Sequence, residues 1–200
     1  MRYEKGHKDS TRRHILDVAA KQFRENGVAA AGLAGIMADA GLTNGAFYAH
    51  FDSKEDLLRE VLRDLLTRRK QQLRVSLENK TPLEPVLRDY LSPGHRENAG
   101  YGCPAAALAA EIARHPKKTR EAFSENISSI IALMAEQMRG APEERRRNAT
   151  ATFAMMVGAL QLARAVSDKK QSDEILEHAI AAALRLADAS FDNEQVRKTK

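Results

Sequence analysis

The chain has 200 residues, of which 43% are hydrophobic and 30% are charged, a balance typical of a globular protein with a real core. Runs of about 18 apolar residues are missing, so the sequence predicts no transmembrane helix. The start of the chain, residues 1–13, is polar and charged without an apolar stretch behind it, so the sequence predicts no secretory signal there. A net charge of +5 favours a polyanionic partner, and the single cysteine, Cys103, excludes an intrachain disulfide and fits a reducing cytoplasm.

The first predicted helix covers residues 10–26. Ile15, Ala19 and Phe23 recur on one of its faces, and Gly27 ends it. The cations of the first 54 residues are concentrated before residue 14, so a basic arm precedes a small domain whose charge is nearly balanced.

A short amphipathic helix follows, because Leu33, Ile36, Met37 and Ala40 recur at intervals of three and four residues. Gly41 is predicted to close this helix, since glycine adopts a left-handed conformation without a Cβ clash.

A second short helix is predicted to begin at Thr43, whose hydroxyl can cap it. Ala46, Phe47 and Phe51 would face inward. The residues left nearer to solvent are Asn44, Gly45, Tyr48 and His50. Two short helices across a glycine turn, the second small and polar outside, describe a helix-turn-helix.

The run from Ile15 to Leu58 resembles the N-terminal domain of the TetR/AcrR family of bacterial repressors. Tyr48-Ala49-His50-Phe51-Asp52-Ser53-Lys54 stands where that family typically has Tyr-x-His-Phe-x-x-Lys, directly after Gly41-Leu42-Thr43-Asn44-Gly45-Ala46-Phe47. The resemblance implies an all-α fold with an N-terminal three-helix helix-turn-helix DNA-binding domain, over residues 1–53. A larger helical ligand-binding and dimerisation domain would occupy residues 54–200.

One position departs from the family pattern. The family usually has a Thr pair before the first helix of the motif, where a hydroxyl caps the helix and touches a phosphate, whereas this chain has Ala31-Gly32. We therefore expect that phosphate contact to be missing. If the replacement acts like alanine, the cap should be weaker by about 1 kcal/mol.

The candidate DNA-contact residues lie in and just after the second short helix. Asn44 can hydrogen-bond a base edge, and small residues at positions 45 and 46 let the backbone approach the groove. The resemblance places Tyr48, His50 and Lys54 at phosphate-contacting positions. The full set is Thr43, Asn44, Gly45, Ala46, Tyr48, His50 and Lys54. The alternative is that Tyr48 and His50 only pack and cap a small helical domain.

The remainder of the chain is predicted to be helical, with one marked loop. Ser53 and Asp56 form a capping-box-like pair that opens a long helix from Lys54. Glycine, proline and polar residues cluster in the stretch 92–100, which predicts a loop. The predicted helices are 54–79, 83–91, 104–115, 117–139, 143–167 and 172–190, and the tail from residue 192 is charged and expected to fray.

Small residues recur along the last two predicted helices and allow close helix packing. In the family, two such helices form a four-helix bundle with the same pair of a second subunit, so the resemblance implies a homodimer. The candidate interface residues are Met155, Gly158, Leu162, Ala165, Leu176, Ile180 and Ala183. The alternative interpretation is a core stripe within one chain.

Methionines and aromatic residues of the C-terminal part could line an apolar cavity for a small-molecule effector. The candidate set is Tyr90, Tyr101, Cys103, Phe123, Met134, Phe153 and Met156. Plain core packing is the alternative for most of them. Cys103 precedes a predicted helix, where a thiolate is favoured and could sense oxidants or electrophiles, and the alternative is a small buried residue.

Signals for an enzyme or a metal site are poor. The six histidines show no spacing typical of metal ligands on one helix, and the dispersed glycines form no phosphate-binding loop, so no cofactor is predicted. Arg145-Arg146-Arg147 follows two glutamates at a helix start and is interpreted as a solvated face.

These observations and the resemblance favour a bacterial cytoplasmic repressor, a homodimer that leaves a near-palindromic double-stranded operator when a small-molecule effector binds. Two alternatives stay open. One is a helix-turn-helix activator or corepressor-dependent regulator, and the other is a helical ligand-binding or partner-binding protein that no longer reads DNA.

Overall fold

The computed structural model describes residues 5–188 and shows only helices, turns and loops in that range. The predicted basic arm lies partly outside the described residues, and the predicted frayed tail lies wholly outside them. The helices are α1 (Lys5–Asn26), α2 (Leu33–Asp39), α3 (Asn44–Phe47), α4 (Lys54–Glu78), α5 (Leu83–Tyr90), α6 (Pro93–Glu97), α7 (Pro104–Ile112), α8 (Lys117–Glu136), α9 (Pro142–Ala165) and α10 (Lys169–Asp188). The all-α fold predicted from the sequence is confirmed.

The chain forms two compact units. The first consists of the chain up to Arg69 together with Asn98–Ile127, and the second consists of Lys70–Glu97 together with the chain from Ser128 onward. The dividing points fall inside α4 and α8. The predicted functional domains, 1–53 and 54–200, divide the chain elsewhere and stay a prediction.

The first unit is built around one apolar core. Ile15, Ala19 and Phe23 of α1 are fully buried, as their spacing predicts, and they pack with Ile36 and Met37 of α2. Full burial of an aliphatic or aromatic side chain stabilises a fold by about 1.5–3 kcal/mol. Helices α1 and α2 therefore share one core, which also contains Phe47 of α3.

Helix α7 also belongs to this core. Leu108 and Ile112 are buried in the same cluster as α1 and α4, and Phe123 of α8 packs against it. The sequence predicted α7 as a helix of the C-terminal domain, because helical periodicity identifies an apolar face but not the partner of that face.

Helix α4 begins at a capped N-terminus. The backbone N–H of Asp56 donates to Ser53 Oγ at 3.1 Å, which confirms Ser53 as the cap. The Asp56 carboxylate accepts from the Asp52 N–H at 3.4 Å, one residue earlier than in a capping box. The start of α4 is thereby fixed relative to the end of the helix-turn-helix.

In the second unit, α9 and α10 pack along much of their length, and α5 and α6 contact α10 and α9 respectively. The prediction of a loop over residues 92–100 is wrong. Ser92 Oγ accepts from the His95 N–H at 3.1 Å and caps α6, with Pro93 in the first turn, and a 3₁₀ turn follows over Ala99–Tyr101. The Ser-Pro pair was a helix-start signal that the loop-like composition concealed.

A buried arginine fixes the position of α6 within the second unit. Arg96 donates from Nη1 to Ser172 Oγ at 2.7 Å and to Asp173 Oδ1 at 2.6 Å, which ties α6 to the first turn of α10. Arg164 of α9 donates to the backbone oxygens of Arg96 and His95 at 3.0 and 2.8 Å. Charged side chains held in this way explain how five residues persist as a helix.

Candidate nucleic-acid interface

The turn between α2 and α3 has the geometry that the sequence predicts. Gly41 has a φ of +67°, its N–H donates to the oxygen of Ala38 at 2.9 Å, and the Leu42 N–H donates to the oxygen of Met37 at 2.9 Å. This pair of bonds is a Schellman motif, which satisfies carbonyl groups at the end of a helix. The predicted helix-turn-helix is confirmed as two short helices across this turn.

Phe47 anchors α3 to the first unit. Its ring is fully buried and stacks against the buried ring of Phe51 with a centroid distance of 5.6 Å. Ala46, predicted to face inward, is half-buried. The opposite side of α3 exposes Asn44, Gly45 and Tyr48, and the Tyr48 side chain is 68% exposed. Buried aromatic rings therefore fix one side of this short helix, and the opposite side exposes polar groups to solvent.

Thr43 occupies the N-cap position of α3 with an extended backbone, but its hydroxyl makes no capping hydrogen bond to the described part of the chain. The prediction that this hydroxyl caps α3 is therefore wrong. The residue is exposed, so its hydroxyl is turned to solvent at the start of the helix.

Gly32, and not Ala31, occupies the N-cap of α2. The expected penalty of about 1 kcal/mol assumed an alanine-like cap, whereas glycine at an N-cap is worse than serine by only a few tenths of a kcal/mol. Ala31 is buried in the core of the first unit, so it takes no part in capping. The missing hydroxyl at the N-cap of α2 therefore costs a few tenths of a kcal/mol and not about 1 kcal/mol.

His50 is half-buried beside α3. Its Nδ1 is buried and has no hydrogen-bond partner among the described residues. Burial lowers the pKa of the imidazole below its ordinary value, and the charges of Lys8 and Arg12 lower it further. The neutral form of the ring is therefore favoured in the folded chain.

Lys54 has a structural partner that the sequence did not reveal. Its Nζ donates to the backbone oxygen of Val28 at 2.5 Å, and the side chain is half-buried. The resemblance implied a phosphate contact from this residue. The structure shows that at least one of its three donors holds the loop between α1 and α2.

Two side chains that sequence reasoning missed lie next to this surface. The guanidinium of Arg12 lies over the Phe51 ring at 4.8 Å from the centroid and also donates to Glu60 at 3.1 Å. Arg13 pairs with Asp17 and Asp64, and its bond to Asp17 is the main reason that its pKa is raised. The pairing of Arg13 with Asp17 follows the i,i+4 spacing of a helix, whereas Glu60 and Asp64 lie 48 and 51 residues away and give no sequence signal.

The predicted ligand residues divide between the two units. Tyr101 is 75% exposed, with Lys21 Nζ 5.8 Å from its ring centroid, whereas the other six residues are buried or half-buried. The ligand set stays a prediction. Its members in the first unit are Tyr101, Cys103 and Phe123, and those in the second are Tyr90, Met134, Phe153 and Met156.

The predicted interface residues divide by helix. On α9, Leu162 is 58% exposed, Ala165 is exposed, and Met155 and Gly158 are half-buried. The three residues on α10 are buried within the chain itself, because α10 turns this face towards its own unit. Leu176, Ile180 and Ala183 are thus buried in the single chain, and the interface set as a whole stays a prediction.

Cys103 is 7% exposed and occupies the N-cap position of α7, one residue before Pro104. The nearby guanidinium of Arg24 donates to the backbone oxygen of Gly102 at 3.1 Å, and burial lowers the pKa of that arginine. Whether the thiol senses oxidants stays a prediction. Within residues 5–188 no group of three His, Cys, Asp or Glu side chains is placed to hold a metal ion.

Within residues 5–188, every helix is too short or too polar to span a lipid bilayer. Arg146 and Arg147 are exposed, and Arg147 pairs with Glu144 at 3.8 Å, which agrees with their interpretation as a solvated face.

Residues 5–188 are helical with turns and loops, and their helix-turn-helix exposes a small polar second helix, an arrangement typical of helix-turn-helix regulators. Two family models match the chain: "Bacterial regulatory proteins, tetR family" over residues 15–61, and "Transcriptional regulator LmrA/YxaF-like, C-terminal domain" over residues 87–182. The chain belongs to the TetR family of bacterial transcriptional regulators. These are DNA-binding regulators of transcription and not enzymes.

Curated relatives match one part of the chain. The HTH-type transcriptional regulator AcrR of Shigella flexneri is 41% identical over 83 residues, which are 40% of this chain and 38% of that protein. The HTH-type transcriptional repressor KstR2 of Rhodococcus jostii is 34% identical over 84 residues, 40% of this chain and 41% of that protein. The matches thus span about two fifths of the relatives' lengths.

Solved structures show the same fold over most of the chain. Reduced NemR of Escherichia coli superposes with a TM-score of 0.72 at 23% identity, covering 87% of this chain and 95% of that one. A TetR-family regulator from Agrobacterium tumefaciens gives a TM-score of 0.72 at 20% identity, covering 88% and 98%.

Proposed function

We propose that the chain is a transcriptional repressor that binds a near-palindromic operator in the bacterial cytoplasm and leaves it when a small-molecule effector binds its C-terminal domain. The observation that carries the proposal is the exposed polar side of α3, with Tyr48 turned outward and Phe47 buried beneath it. A curated relative that is 34% identical over 84 residues is named a repressor.

In this proposal the start of α3 reads the bases. Asn44 is exposed at the first helical position, and its amide can pair with adenine through two hydrogen bonds. Gly45 has open space around the position of a Cβ, so the backbone can approach a base pair closely. Ala46 can contact a thymine methyl group. The remaining side chains around α3 fix the register of the protein on the duplex.

Phosphate contacts would come from Thr43, Tyr48 and His50. The first two hydroxyls are exposed, and the neutral His50 ring offers its Nε2 proton because Nδ1 is buried. Lys54 contributes through charge, while one of its donors remains on Val28. Helix α3 itself carries no cationic residue, so selectivity should depend strongly on having two copies of this surface.

Those two copies require a homodimer, which is typical of the family. The exposed α9 face around Leu162 and Ala165 supports a self-complementary contact with the same face of a second chain. A two-fold dimer then presents two α3 helices to half-sites on successive turns of the duplex. The effector releases the operator only if it binds the free and DNA-bound conformations with unequal affinity.

The test compares two exposed tyrosines of the first unit. Operator fragments are first obtained by sequencing genomic DNA that the purified protein retains. Tyr48→Phe removes a hydroxyl proposed to donate to a phosphate, so affinity should fall by about tenfold, as expected for a hydrogen bond to a charged group. Tyr101→Phe is the control, because Tyr101 is also exposed but lies outside the helix-turn-helix.

Equal affinities of the two variants in a gel-shift titration would contradict the proposed role of Tyr48. If the wild-type chain shows no preference for any retained fragment at low salt, the repressor proposal fails. A helical ligand-binding or partner-binding protein would then be the better description.

A further inference from the structure

The loop between α1 and α2 is held by a side chain from α7. The Glu111 carboxylate accepts two successive backbone N–H groups, from Val28 to Oε2 at 2.8 Å and from Ala29 to Oε1 at 2.6 Å. Lys54 Nζ donates to the Val28 oxygen. Both backbone polar groups of Val28 are therefore bound by side chains that lie outside the loop.

The close approach of Glu111 depends on the residue before Val28. Gly27 has a φ of +81°, and a Cβ at this position would lie 3.1 Å from Glu111 Oε2. A side chain there would strain the backbone and press on the carboxylate. The loop conformation and the position of α7 are consequently fitted to each other.

The same part of the chain also contacts the far end of the helix-turn-helix. Glu55, in the first turn of α4, lies 3.0 Å from His115 Nδ1 and accepts a hydrogen bond from the buried hydroxyl of Thr119. Residues 111–119 thus bind the backbone just before α2 and the helix that starts just after α3. These groups all belong to the first compact unit.

We propose that Glu111 is a positioning residue for DNA binding, which holds the start of the helix-turn-helix in the geometry that the operator requires. The proposal rests on the proposed function. Glu111 lies within residues 87–182, the range matched by the C-terminal family model, but it belongs to the compact unit that carries the helix-turn-helix. An ionised carboxylate is suited to the task, because it accepts both N–H groups at once.

Changing the Glu111 carboxylate to an amide should lower operator affinity if the residue positions the loop, but should raise it if only the charge matters. Glu111→Gln removes a negative charge, which by electrostatics alone should tighten binding to DNA. A glutamine offers one acceptor oxygen and an NH₂ group that cannot accept from the second N–H, so the loop should shift. We expect operator affinity to fall by about tenfold in Glu111→Gln.

Glu121→Gln is the matched control. Glu121 lies on α8 in the same unit, is exposed, and pairs only loosely with Lys117 at 3.5 Å. The same loss of one negative charge there should leave operator affinity unchanged or slightly higher. If Glu111→Gln binds as tightly as Glu121→Gln while the wild-type chain binds its operator, the positioning role is overturned and the proposed function stands.

Amide hydrogen exchange provides a readout that does not need DNA. Ala29 is exposed, so its N–H should exchange quickly unless Glu111 holds it. We expect slow exchange at Val28 and Ala29 in the wild-type chain and at least about tenfold faster exchange in a folded Glu111→Gln variant. Fast exchange of Ala29 in the wild-type chain would overturn the proposal even if the variant failed to fold. A wild-type chain that binds no operator would instead overturn the proposed function.

Discussion

His50 is a half-buried side chain with a structural role and a proposed role in DNA contact. Its ring packs beside α3, and its buried Nδ1 cannot gain a proton without placing a charge near Lys8 and Arg12. The neutral form is favoured in the folded chain because burial lowers the pKa of the imidazole. Recognition would then use a hydrogen bond from Nε2 and not a positive charge.

This lowered pKa predicts how stability changes with pH. Unfolded histidine has a pKa of about 6.5, so as the pH falls below that value the unfolded chain binds the proton before the folded chain does. The free energy of unfolding should therefore decrease between pH 7.5 and pH 5.5, and His50→Gln should lose less stability over that interval. Thermal melting of both chains at the two pH values measures the difference.

Equal losses in the wild-type chain and His50→Gln would contradict this prediction. The other five histidines of the sequence are present in both chains, so the comparison isolates the effect of His50.

At the level of residues, the exposed side of α3 was predictable from the sequence, whereas the hydrogen-bond partner of Lys54 was not. The spacing of Phe47 and Phe51 predicted that Asn44, Gly45 and Tyr48 face outward, as the structure shows. The bond from Lys54 to Val28 could not be predicted, because it joins residues 26 positions apart in a loop without periodicity.

At the level of helices, Gly32 offers a direct test of capping at α2. Its backbone has a φ of −69° and a ψ of 145°, which any residue can adopt, and nothing lies within 4 Å of the position of a Cβ. Gly32→Ser should raise the free energy of unfolding by a few tenths of a kcal/mol, since a hydroxyl can accept an N–H of the first turn. Urea denaturation measures the change.

The control for this prediction is Gly32→Ala, which introduces a Cβ without an acceptor. Alanine is a poorer N-cap than glycine, so this variant should be less stable than the wild-type chain. If the alanine variant is as stable as the serine variant, the effect comes from the backbone and not from the cap.

Most helices were predictable because apolar residues repeat along them, as in α1 and α9. Two features were not. Helix α6 depends on the contacts of Arg96 with Ser172 and Asp173, which lie more than 70 positions away in the sequence. The place of α7 in the first unit depends on Leu108 and Ile112, whose apolar character would suit a core in either unit.

At the level of the molecule, the dimer proposal depends on α9. Leu162 is 58% exposed, so Leu162→Glu should leave the fold of one chain intact while placing a charge in the proposed interface twice, once from each subunit. In the proposed dimer both copies of Leu162 are buried, so their loss should raise the dimer dissociation constant by about 100-fold or more. Sedimentation velocity over a range of protein concentrations measures this constant.

Val75→Glu is the matched control, because Val75 is a 44% exposed apolar residue of α4 outside the proposed interface. It should leave the dimer dissociation constant unchanged. A dimer that persists in Leu162→Glu and dissociates in Val75→Glu would assign the interface to a different helix.

The thiol of Cys103 can serve as a natural probe of local opening in the wild-type chain. It is the only cysteine of the sequence, it is 7% exposed, and it immediately precedes α7, the helix that carries Glu111. A thiol reagent can modify it only when this segment opens, so the rate of labelling follows the frequency of local opening. Mass spectrometry of the labelled chain would therefore show, without any engineered probe, whether operator DNA or an effector slows the opening of the segment before α7.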